Sequence, residues 1–550
     1  MTRALQPWWK TATGYQIYPR SFCDSNGDGI GDLRGIISKL DHLSDLGIGF
    51  IWLSPVYASP MRDNGYDISD YRQIAPEFGT LDDFDALVAQ ARDKGIRIVM
   101  DLVVNHCSSD HDWFLKACQS RDCPEHEYFY WRDQSPDTNG PPDDQRACFG
   151  GSAWTWVETV GRYYYGHFGA QQPELNWHNP ALRHEVFDMM NWWLDKGIGG
   201  FRIDVIELIG KDLDNRVYFE GPDMHRFIAD MHAACFAGRD IMTVGESWSA
   251  KPETALLYCG KARKEVDMVF NFNHIDAAWD PERGRFGPNL FDLPTHKRIL
   301  ANWQHALADD GWNSLYLSNH DLPRPVSHYG CDGPFRARSA KMLAMTMHLM
   351  KGTPFVYQGE EIGMTNANFT ELGQFRDIET LGQLKEQTAR GVSQKDFIDG
   401  ANTNGRDNAR TPVQWDNSTH SGFTTGEPWI DVNANCIDIN VAKDRADPDG
   451  VFAFYQDLIA LRKAFTVITE GDFALLEADH SQVFAYLRES DAQCLYVYGN
   501  FTAHDVTIDA PTQGRAQGKV VLSNIGRDHF DMDGRIELAP FECFAWFLED

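Results

Sequence analysis

The sequence predicts a (β/α)8 barrel, the TIM-barrel fold, with a small inserted subdomain after strand 3 and a C-terminal antiparallel β domain. Three observations lead to this prediction. Short apolar or β-branched runs alternate with segments of helical period, which is the pattern of repeated βα units. Eight such runs occur, which is the strand count of a closed parallel barrel. The alternation breaks in two places, after the third run and near residue 466.

The segments between the candidate strands have the spacing of amphipathic helices. In the first, Leu33, Ile36, Leu40 and Leu43 fall near one face, and Gly47 gives a C-cap signal. The candidate strands cover residues 14–22, 48–55, 96–105, 199–206, 241–246, 268–273, 314–319 and 354–358. Further helical segments cover residues 81–94, 181–196, 224–237, 296–308 and 337–350.

Two regions depart from the βα pattern. The first follows the third strand, is rich in loops and is interpreted as a small inserted subdomain. The second follows a helical segment at 452–465, where short strand-like runs separated by turns indicate a separate antiparallel β domain. The predicted segments are barrel residues 1–105, insert residues 106–176, barrel residues 177–466 and C-terminal residues 467–550.

Composition and charge narrow the class of partner. The formal net charge of −30 would repel nucleic acid and anionic lipid, so a neutral small molecule is the simplest expectation. No apolar stretch approaches the roughly 18 residues that span a bilayer, and the N-terminus has no signal-peptide pattern. We therefore expect a cytoplasmic protein, monomeric or weakly homo-oligomeric, whose eleven scattered cysteines are reduced thiols.

Polar residues gather where the candidate strands end. Because the C-terminal ends of barrel strands meet at one rim, these residues predict a single site. Three carboxylates at one rim suit glycoside cleavage, which needs a proton donor and a carboxylate facing an oxocarbenium-like centre, while a third holds substrate hydroxyls. The residues are Asp101, Asn105 and His106 after strand three, Arg202 and Asp204 after strand four, Glu246 after strand five, and His320 and Asp321 after strand seven.

Four motifs at these strand ends resemble the signature regions of glycoside hydrolase family 13, the α-amylase family. The resemblance covers almost the whole chain and implies a (β/α)8 barrel, the insert as domain B and a β-sandwich-like C-terminal domain. The motifs are Asp101-Leu-Val-Val-Asn-His106, Gly200-Phe-Arg-Ile-Asp204, Thr243-Val-Gly-Glu246 and Asn319-His-Asp321.

The resemblance also implies roles for individual residues. Asp204 would be the nucleophile, Glu246 the general acid/base, and Asp321 the carboxylate that grips two glucosyl hydroxyls in the transition state. Arg202, two residues before Asp204, would point to the same face of the strand and keep the nucleophile ionised. Glu246 would need a raised pKa to donate a proton near neutrality. In a retaining enzyme the two carboxyl groups should lie roughly 5 to 5.5 Å apart.

The non-reducing glucose is expected in a closed pocket that resembles that of the oligo-1,6-glucosidase group. Such a pocket permits only exo cleavage, one glucose at a time. Asp63 and Arg410 can bracket one end of the sugar, and Tyr66 offers a ring face. The residues expected around the glucose are Asp63, Tyr66, His106, His320 and Arg410, with Phe149 and Phe168 from the insert as further aromatic wall.

Two residues beside the catalytic carboxylates bear on substrate choice. Val205 directly follows the nucleophile, and enzymes of this group with valine there resemble the α-1,6-specific ones. Trp248 could stack on the leaving glucose. Motifs such as Glu360-Glu-Ile-Gly-Met-Thr365 look most like those of dextran glucosidases, also called glucan 1,6-α-glucosidases. We therefore expect isomaltooligosaccharides or dextran as substrate.

A short acidic loop predicts a structural calcium site. Oxygen ligands alternate as in the first half of a calcium loop, although Gly35 stands where an EF-hand has its closing glutamate. The family resemblance implies Ca²⁺ far from the catalytic residues, and no organic cofactor. An Asx-rich turn without metal is the alternative interpretation. The expected ligands are Asp24, Asn26, Asp28, the Ile30 carbonyl and Asp32.

Several alternative functions remain open. A trehalose-6-phosphate hydrolase shares the fold but needs basic side chains for the phosphate, and no basic cluster near the site is evident in the sequence. Val205 argues against an α-1,4-glucosidase, and Gln374-Phe-Arg-Asp377 matches the loop of sucrose-isomerising relatives only loosely. Non-catalytic binding subunits of this fold have lost the carboxylates that this chain retains.

Overall fold

The computed structural model describes residues 6–510, 518–529 and 534–549. Eight parallel strands form the barrel: β1 (Gly14–Ile17), β2 (Phe50–Leu53), β3 (Arg97–Leu102), β4 (Gly200–Ile203), β5 (Met242–Ser247), β6 (Met268–Asn271), β7 (Ser314–Leu315) and β8 (Thr353–Tyr357). Their order is β6-β5-β4-β3-β2-β1-β8-β7. The barrel closes where the Ser314 hydroxyl of β7 donates to the Val269 carbonyl of β6 at 2.7 Å.

Aromatic rings fill part of the barrel interior. Trp52 stacks on Phe270 with ring centroids 5.3 Å apart, and Phe270 meets Phe355 edge-on at 4.7 Å. At Gly200 φ is +136°, and a Cβ there would lie 1.8 Å from the Met242 carbonyl oxygen. A glycine is therefore required for β4 and β5 to approach, and these are the strands that carry two of the predicted catalytic carboxylates.

Helices surround the barrel. In the helix after β2, Thr80 and Asp83 form a reciprocal capping box, and Phe84 and Leu87 are buried. The α-helices are Leu33–Ser38, Leu40–Leu46, Leu81–Asp93, Asp112–Ala117, Pro180–Asp195, Met224–Met231, Ala255–Cys259, Asn273–Asp276, Leu293–Ala306, Pro325–Tyr329, Arg336–His348, Ile378–Ala389, Gln394–Asn404, Asp407–Arg410, Val441–Ala446, Val451–Ala464 and Val467–Glu470. None of the described helices is long and apolar enough to cross a bilayer.

The insert after β3 contains a small antiparallel sheet. Its middle strand, Arg162–Tyr165, pairs with Trp131–Arg132 on one side and with Trp154–Val157 on the other. An isolated bridge between His106 and Glu174 ties the end of the insert back to the end of β3. The insert thereby lies over the C-terminal ends of the barrel strands.

The C-terminal part is an antiparallel β structure that packs on the barrel helices. Its strands are β9 (Asp472–Leu476), β10 (Val483–Glu489), β11 (Gln493–Asn500), β12 (Val506–Asp509), β13 (Lys519–Ser523), β14 (Arg535–Leu538) and β15 (Cys543–Glu549). A sheet of order β9-β10-β11-β15-β13 is accompanied by the pair β12 and β14. The Lys297 ammonium of the barrel donates to the carbonyls of His480 at 2.6 Å and Val483 at 2.9 Å, which joins the two parts.

The predicted fold class is confirmed, and each of the eight predicted strands is present. Several are shorter than expected, because their last residues turn into βα loops. The first ends at Ile17, since Pro19 begins a 3₁₀ turn. The helical segments Ile378–Ala389 and Gln394–Asn404, after β8, were not among the predicted elements. The domain boundaries remain predictions.

Candidate active site

A cavity of about 640 Å³ opens at the C-terminal ends of the barrel strands, under the insert. Among the residues expected in the site, ten line this cavity: Asp63, Tyr66, His106, Phe149, Phe168, Asp204, Val205, Glu246, Trp248 and Asp321. Three others, Arg202, His320 and Arg410, are buried directly behind the lining and hold its carboxylates. The structure therefore brings the predicted polar and aromatic residues of the site together.

Arg202 is the centre of a buried cluster of carboxylates. One guanidinium nitrogen, Nη1, lies 2.8 Å from Asp101 Oδ1 and 2.7 Å from Asp204 Oδ1. The other, Nη2, donates to Glu246 Oε2. Asp101 is fixed in turn by the indole N–H of Trp52, 3.0 Å from its Oδ2. The guanidinium thus holds the carboxylates of Asp204 and Glu246 on one wall of the cavity.

The protonation of this cluster follows from its burial. Burial raises the pKa of Asp204, Arg202 opposes this effect, and the carboxylates of Glu246 and Asp101 raise the pKa further. The resemblance implies that Arg202 keeps Asp204 ionised, but burial and the neighbouring carboxylates outweigh Arg202 in setting the pKa of Asp204. One guanidinium facing three carboxylates leaves an excess of negative charge, which favours the binding of a proton in the cluster.

Glu246 is held by donors from two directions. Its Oε2 accepts the backbone N–H of Val205 at 3.2 Å, and its Oε1 accepts the indole N–H of Trp248 at 3.1 Å. Val205 has φ +35°, in the left-handed region that a β-branched residue rarely adopts. This backbone conformation accompanies the contact between the Val205 N–H and Glu246.

Asp321 lies beside two guanidinium groups and the His320 imidazole at another wall. Its Oδ1 is 2.8 Å from Arg410 Nη2 and 3.3 Å from Arg406 Nη1, and its Oδ2 is 3.2 Å from His320 Nε2. Burial acts to raise the pKa of Asp321, but these neighbours outweigh it and hold the pKa well below its ordinary value. Asp321 is therefore ionised across the physiological range.

Asp63, which also lines the cavity, has fewer cationic neighbours than Asp321. Its Oδ1 is 3.4 Å from Arg406 Nη2, and its Oδ2 accepts the Gln172 amide at 3.0 Å. Burial raises the pKa of Asp63 to about 7 against the opposing effect of Arg406. Burial also lowers the pKa of His106 to about 4, so this imidazole is neutral.

Aromatic rings form the remaining walls. Tyr66 lies parallel to the His320 ring, with centroids 5.1 Å apart. Phe149 and Phe168 are in contact at 5.7 Å, and the Arg406 guanidinium lies over Phe149. Rings of this kind can stack against the apolar faces of a sugar. Phe219, whose residue surface is 46% exposed, also lines the cavity and was not predicted.

Other lining residues were missed because their segments are distant in sequence. Arg406 was not predicted although it lies four residues before Arg410; it reaches Asp63, from which it is 343 residues distant in sequence, as well as Asp321 and Asp377. The sequence showed no basic cluster, but the structure assembles one around the cavity. It consists of Arg146, Arg283, Arg285, Arg390 and Arg406, which come from three loops and the end of a helix.

The predicted calcium loop is a tight turn in which carboxylates accept N–H groups. Asp24 and Asn26 accept backbone N–H groups of the loop itself, as does Asp28 from Ile30, and Asp32 caps the following helix. The alternating oxygen donors suit Ca²⁺ chemically. Within the described ranges no group of three or more His, Cys, Asp or Glu side chains is arranged as metal ligands, and calcium binding remains a prediction.

The chain is similar to several characterised proteins over nearly its entire length. A palatinase of Erwinia rhapontici is 49% identical, covering 99% of this chain and 99% of its own. A glucan 1,6-α-glucosidase of Streptococcus pneumoniae is 46% identical, covering 98% and 99%. The crystal structure of Bacillus licheniformis trehalose-6-phosphate hydrolase superposes with a TM-score of 0.94 at 41% identity, covering 99% and 100%.

Family models divide the chain at the point where the helices give way to the C-terminal strands. The model described as α-amylase, catalytic domain, matches residues 16–471, and the one described as maltogenic amylase, C-terminal domain, matches residues 473–545. The barrel, the strand-end carboxylates and these matches agree. The chain therefore belongs to the α-amylase family, glycoside hydrolase family 13, and is a glycoside hydrolase.

Proposed function

We propose that this glycoside hydrolase is a retaining, exo-acting α-glucosidase that cleaves α-1,6 bonds at the non-reducing end of isomaltooligosaccharides and dextran. The observation that carries the proposal is the pair Asp204 and Glu246, held by one guanidinium at the wall of a cavity with buried polar residues. Two carboxyl groups that are both bound by Arg202 can serve as the nucleophile and the acid/base in the double displacement of retaining glycosidases.

In the first step, Asp204 attacks the anomeric carbon. Arg202 occupies Oδ1, whereas Oδ2 accepts no hydrogen bond from the described residues and is the oxygen that would form the bond. Glu246 gives its proton to the glycosidic oxygen as the bond from that oxygen to carbon breaks. The products are a covalent glucosyl-enzyme and the shortened sugar. This step requires that Glu246 carry a proton and that Asp204 be ionised in the reactive state.

In the second step, Glu246 takes a proton from water, whose oxygen attacks the anomeric carbon and displaces Asp204. Two inversions release α-glucose. We assign Glu246 Oε1 to both proton transfers, because Oε2 accepts from both Arg202 and Val205, whereas Oε1 accepts only the Trp248 indole N–H among the described residues. The ionised Asp321 would accept hydrogen bonds from two glucosyl hydroxyls, and these bonds would strengthen as the ring distorts.

The linkage assignment is supported by relatives and by Val205. The streptococcal relative is named for α-1,6 linkages, and the name of the Erwinia relative makes palatinose a further substrate to test. Val205 lines the cavity next to the nucleophile, where its branched side chain can shape the leaving-group side. Trp248 and Phe219 lie along the same cavity and could stack on the departing sugar.

The test is initial glucose release from isomaltose, isomaltotriose, dextran, palatinose, maltose and trehalose-6-phosphate, with Asp204→Asn as the control. We expect the isomalto series to be preferred, rates to rise with chain length, and activity to vanish in the control. Preference for maltose would contradict the α-1,6 assignment. Preference for palatinose over every isomalto substrate would contradict the oligosaccharide assignment alone.

One observation favours a second candidate, a hydrolase of phosphorylated disaccharides. Arg283 and Arg390 line the cavity, and their side chains make no hydrogen bond or ion pair within the described part of the chain. Arg285, by contrast, is 3.3 Å from Glu379. Two unpaired guanidinium groups could bind a phosphate on the leaving sugar. Trehalose-6-phosphate as the preferred substrate, with Arg283→Ala raising its KM, would establish this alternative.

A further inference from the structure

Glu207 is a buried carboxylate that the mechanism above does not use. It lies three residues after Asp204, in the one-turn helix Ile206–Leu208, and is 1% exposed. No cation forms an ion pair with it among the residues that the structure describes. A buried carboxylate without a cation is costly unless several hydrogen bonds satisfy it, so its partners indicate what it does.

Among the residues that the structure describes, every donor to the Glu207 carboxylate belongs to one of the three residues that directly follow Glu246. Oε2 accepts the Ser247 hydroxyl at 2.9 Å, the Ser249 N–H at 2.7 Å and the Ser249 hydroxyl. Oε1 accepts the Trp248 N–H at 3.0 Å. A residue on the loop of β4 thus fixes the backbone at the end of β5.

Trp248 connects the Glu207 carboxylate to Glu246 through its backbone N–H and its indole N–H. Its backbone N–H is held by Glu207, and its ring is stacked on Phe272 with centroids 3.7 Å apart. With both backbone and ring fixed, its indole N–H reaches Glu246 Oε1 at 3.1 Å. This is the oxygen assigned above to proton transfer.

We propose that Glu207 is a positioning residue for the acid/base: its carboxylate holds residues 247–249 so that Trp248 orients Oε1 of Glu246. The inference rests on the proposed role of Glu246. Val205, on the same loop as Glu207, supplies a second tie through its N–H to Glu246 Oε2. The segment after the nucleophile therefore sets the orientation of both oxygens of the acid/base.

The test compares substrates that differ in their need for acid assistance. A sugar leaving group must be protonated, whereas fluoride leaves from α-glucosyl fluoride with little assistance. Glu207→Gln keeps the size of the side chain but replaces one acceptor oxygen by a donor. We expect its kcat/KM to fall about 10- to 100-fold on isomaltose and less than about 3-fold on the fluoride. The loss on isomaltose is smaller than the roughly 10²- to 10⁴-fold that general acid catalysis contributes, because the acid is misaligned and not removed.

Two reference variants make the outcome specific. Glu220→Gln makes the same charge change on the same loop, where Glu220 accepts the Tyr258 hydroxyl at 2.7 Å, and should leave the ratio of the two substrates unchanged. Glu246→Gln should show the largest selective loss on isomaltose. Absence of that selectivity in Glu246→Gln would contradict the proposed acid/base itself.

Equal losses on both substrates in Glu207→Gln, or none, would overturn the positioning role while leaving Glu246 in place. Ser249→Ala removes one hydroxyl donor to Glu207 and provides a milder second variant should Glu207→Gln not fold. It should show a smaller loss with the same selectivity for isomaltose. A Ser249→Ala enzyme that loses activity equally on both substrates would likewise contradict the inference.

Discussion

Asp63 and Asp321 share a cation but differ in their protonation. Asp321 is surrounded by Arg406, Arg410 and His320, which keep it ionised despite its burial. The Oδ1 atom of Asp63 is 3.4 Å from Arg406 Nη2. The effect of burial on this carboxyl exceeds that of the guanidinium, so the pKa of Asp63 rises to about 7. The number and distance of cationic partners thus decide which carboxylate is a permanent anion and which titrates near neutrality.

This difference predicts how Asp63→Asn changes stability with pH. An unfolded aspartate has a pKa of about 3.9, so between about pH 4 and pH 7 the folded protein binds more protons at Asp63 than the unfolded chain does. Stability conferred at this position falls as pH rises through that interval. Asparagine stays neutral at every pH. The free energy of unfolding of the variant should therefore rise relative to that of the wild type, by on the order of a few kcal/mol between pH 4 and pH 8.

Melting temperatures of both proteins across this pH range provide the measurement, with Asp491→Asn in an exposed bend as the control. A difference between Asp63→Asn and wild type that does not change with pH would show that burial does not raise the pKa of Asp63.

Site residues that lie near one another on a single strand could be predicted from the sequence. Site residues that come from distant segments and meet only in the folded protein could not. Arg202 and Asp204 are two positions apart, so the alternation of a strand places both beside Asp101. Arg406 and Gln172 reach Asp63 from segments more than 100 residues away. Which carboxyl in the cluster has a raised pKa depends on burial and partners, and the motif alone does not show either.

At the scale of elements, periodicity predicted the barrel strands well but placed most of their C-terminal ends too late. The residues between the last strand residue and the predicted end form the loops that carry the site, as at Val205, where the chain turns through φ +35°. The helices Ile378–Ala389 and Gln394–Asn404 escaped notice because few of their side chains are buried, so the apolar pattern is weak.

The acidic loop before the first helix gives a prediction at this scale. We propose that Ca²⁺ binds the oxygen donors at Asp24, Asn26 and Asp28 and raises the melting temperature of the protein. Chelation should lower the melting temperature of the wild type, and Asp28→Ala, whose side chain is exposed, should no longer respond to Ca²⁺ or chelator. An equal response in wild type and variant would place any bound calcium elsewhere.

At the scale of the whole molecule, Lys297 joins the barrel to the C-terminal sheet. It lies on the helix Leu293–Ala306, is fully buried, and donates to three carbonyls, those of Glu477, His480 and Val483. An ammonium that satisfies three carbonyls of one loop region orients that region against the barrel.

Replacing Lys297 by methionine keeps the apolar stem but leaves these carbonyls without their donor. We expect unfolding to become easier by roughly 1 to 3 kcal/mol for each buried carbonyl that finds no new partner. Urea denaturation measures the loss, with Lys395→Met, which removes an exposed pair with Asp399, as the control. Equal midpoints for both variants would show that the Lys297 contacts do not stabilise the junction.

The proposed mechanism requires a covalent glucosyl-enzyme on Asp204, and trapping that species is the decisive experiment. A 5-fluoro-α-glucosyl fluoride slows the second step, and mass spectrometry of the digested protein then locates the sugar. We expect one fluoroglucosyl group on the peptide containing Asp204, and none in Asp204→Asn. A label on another carboxylate, or turnover without any labelled peptide, would rule out Asp204 as the nucleophile.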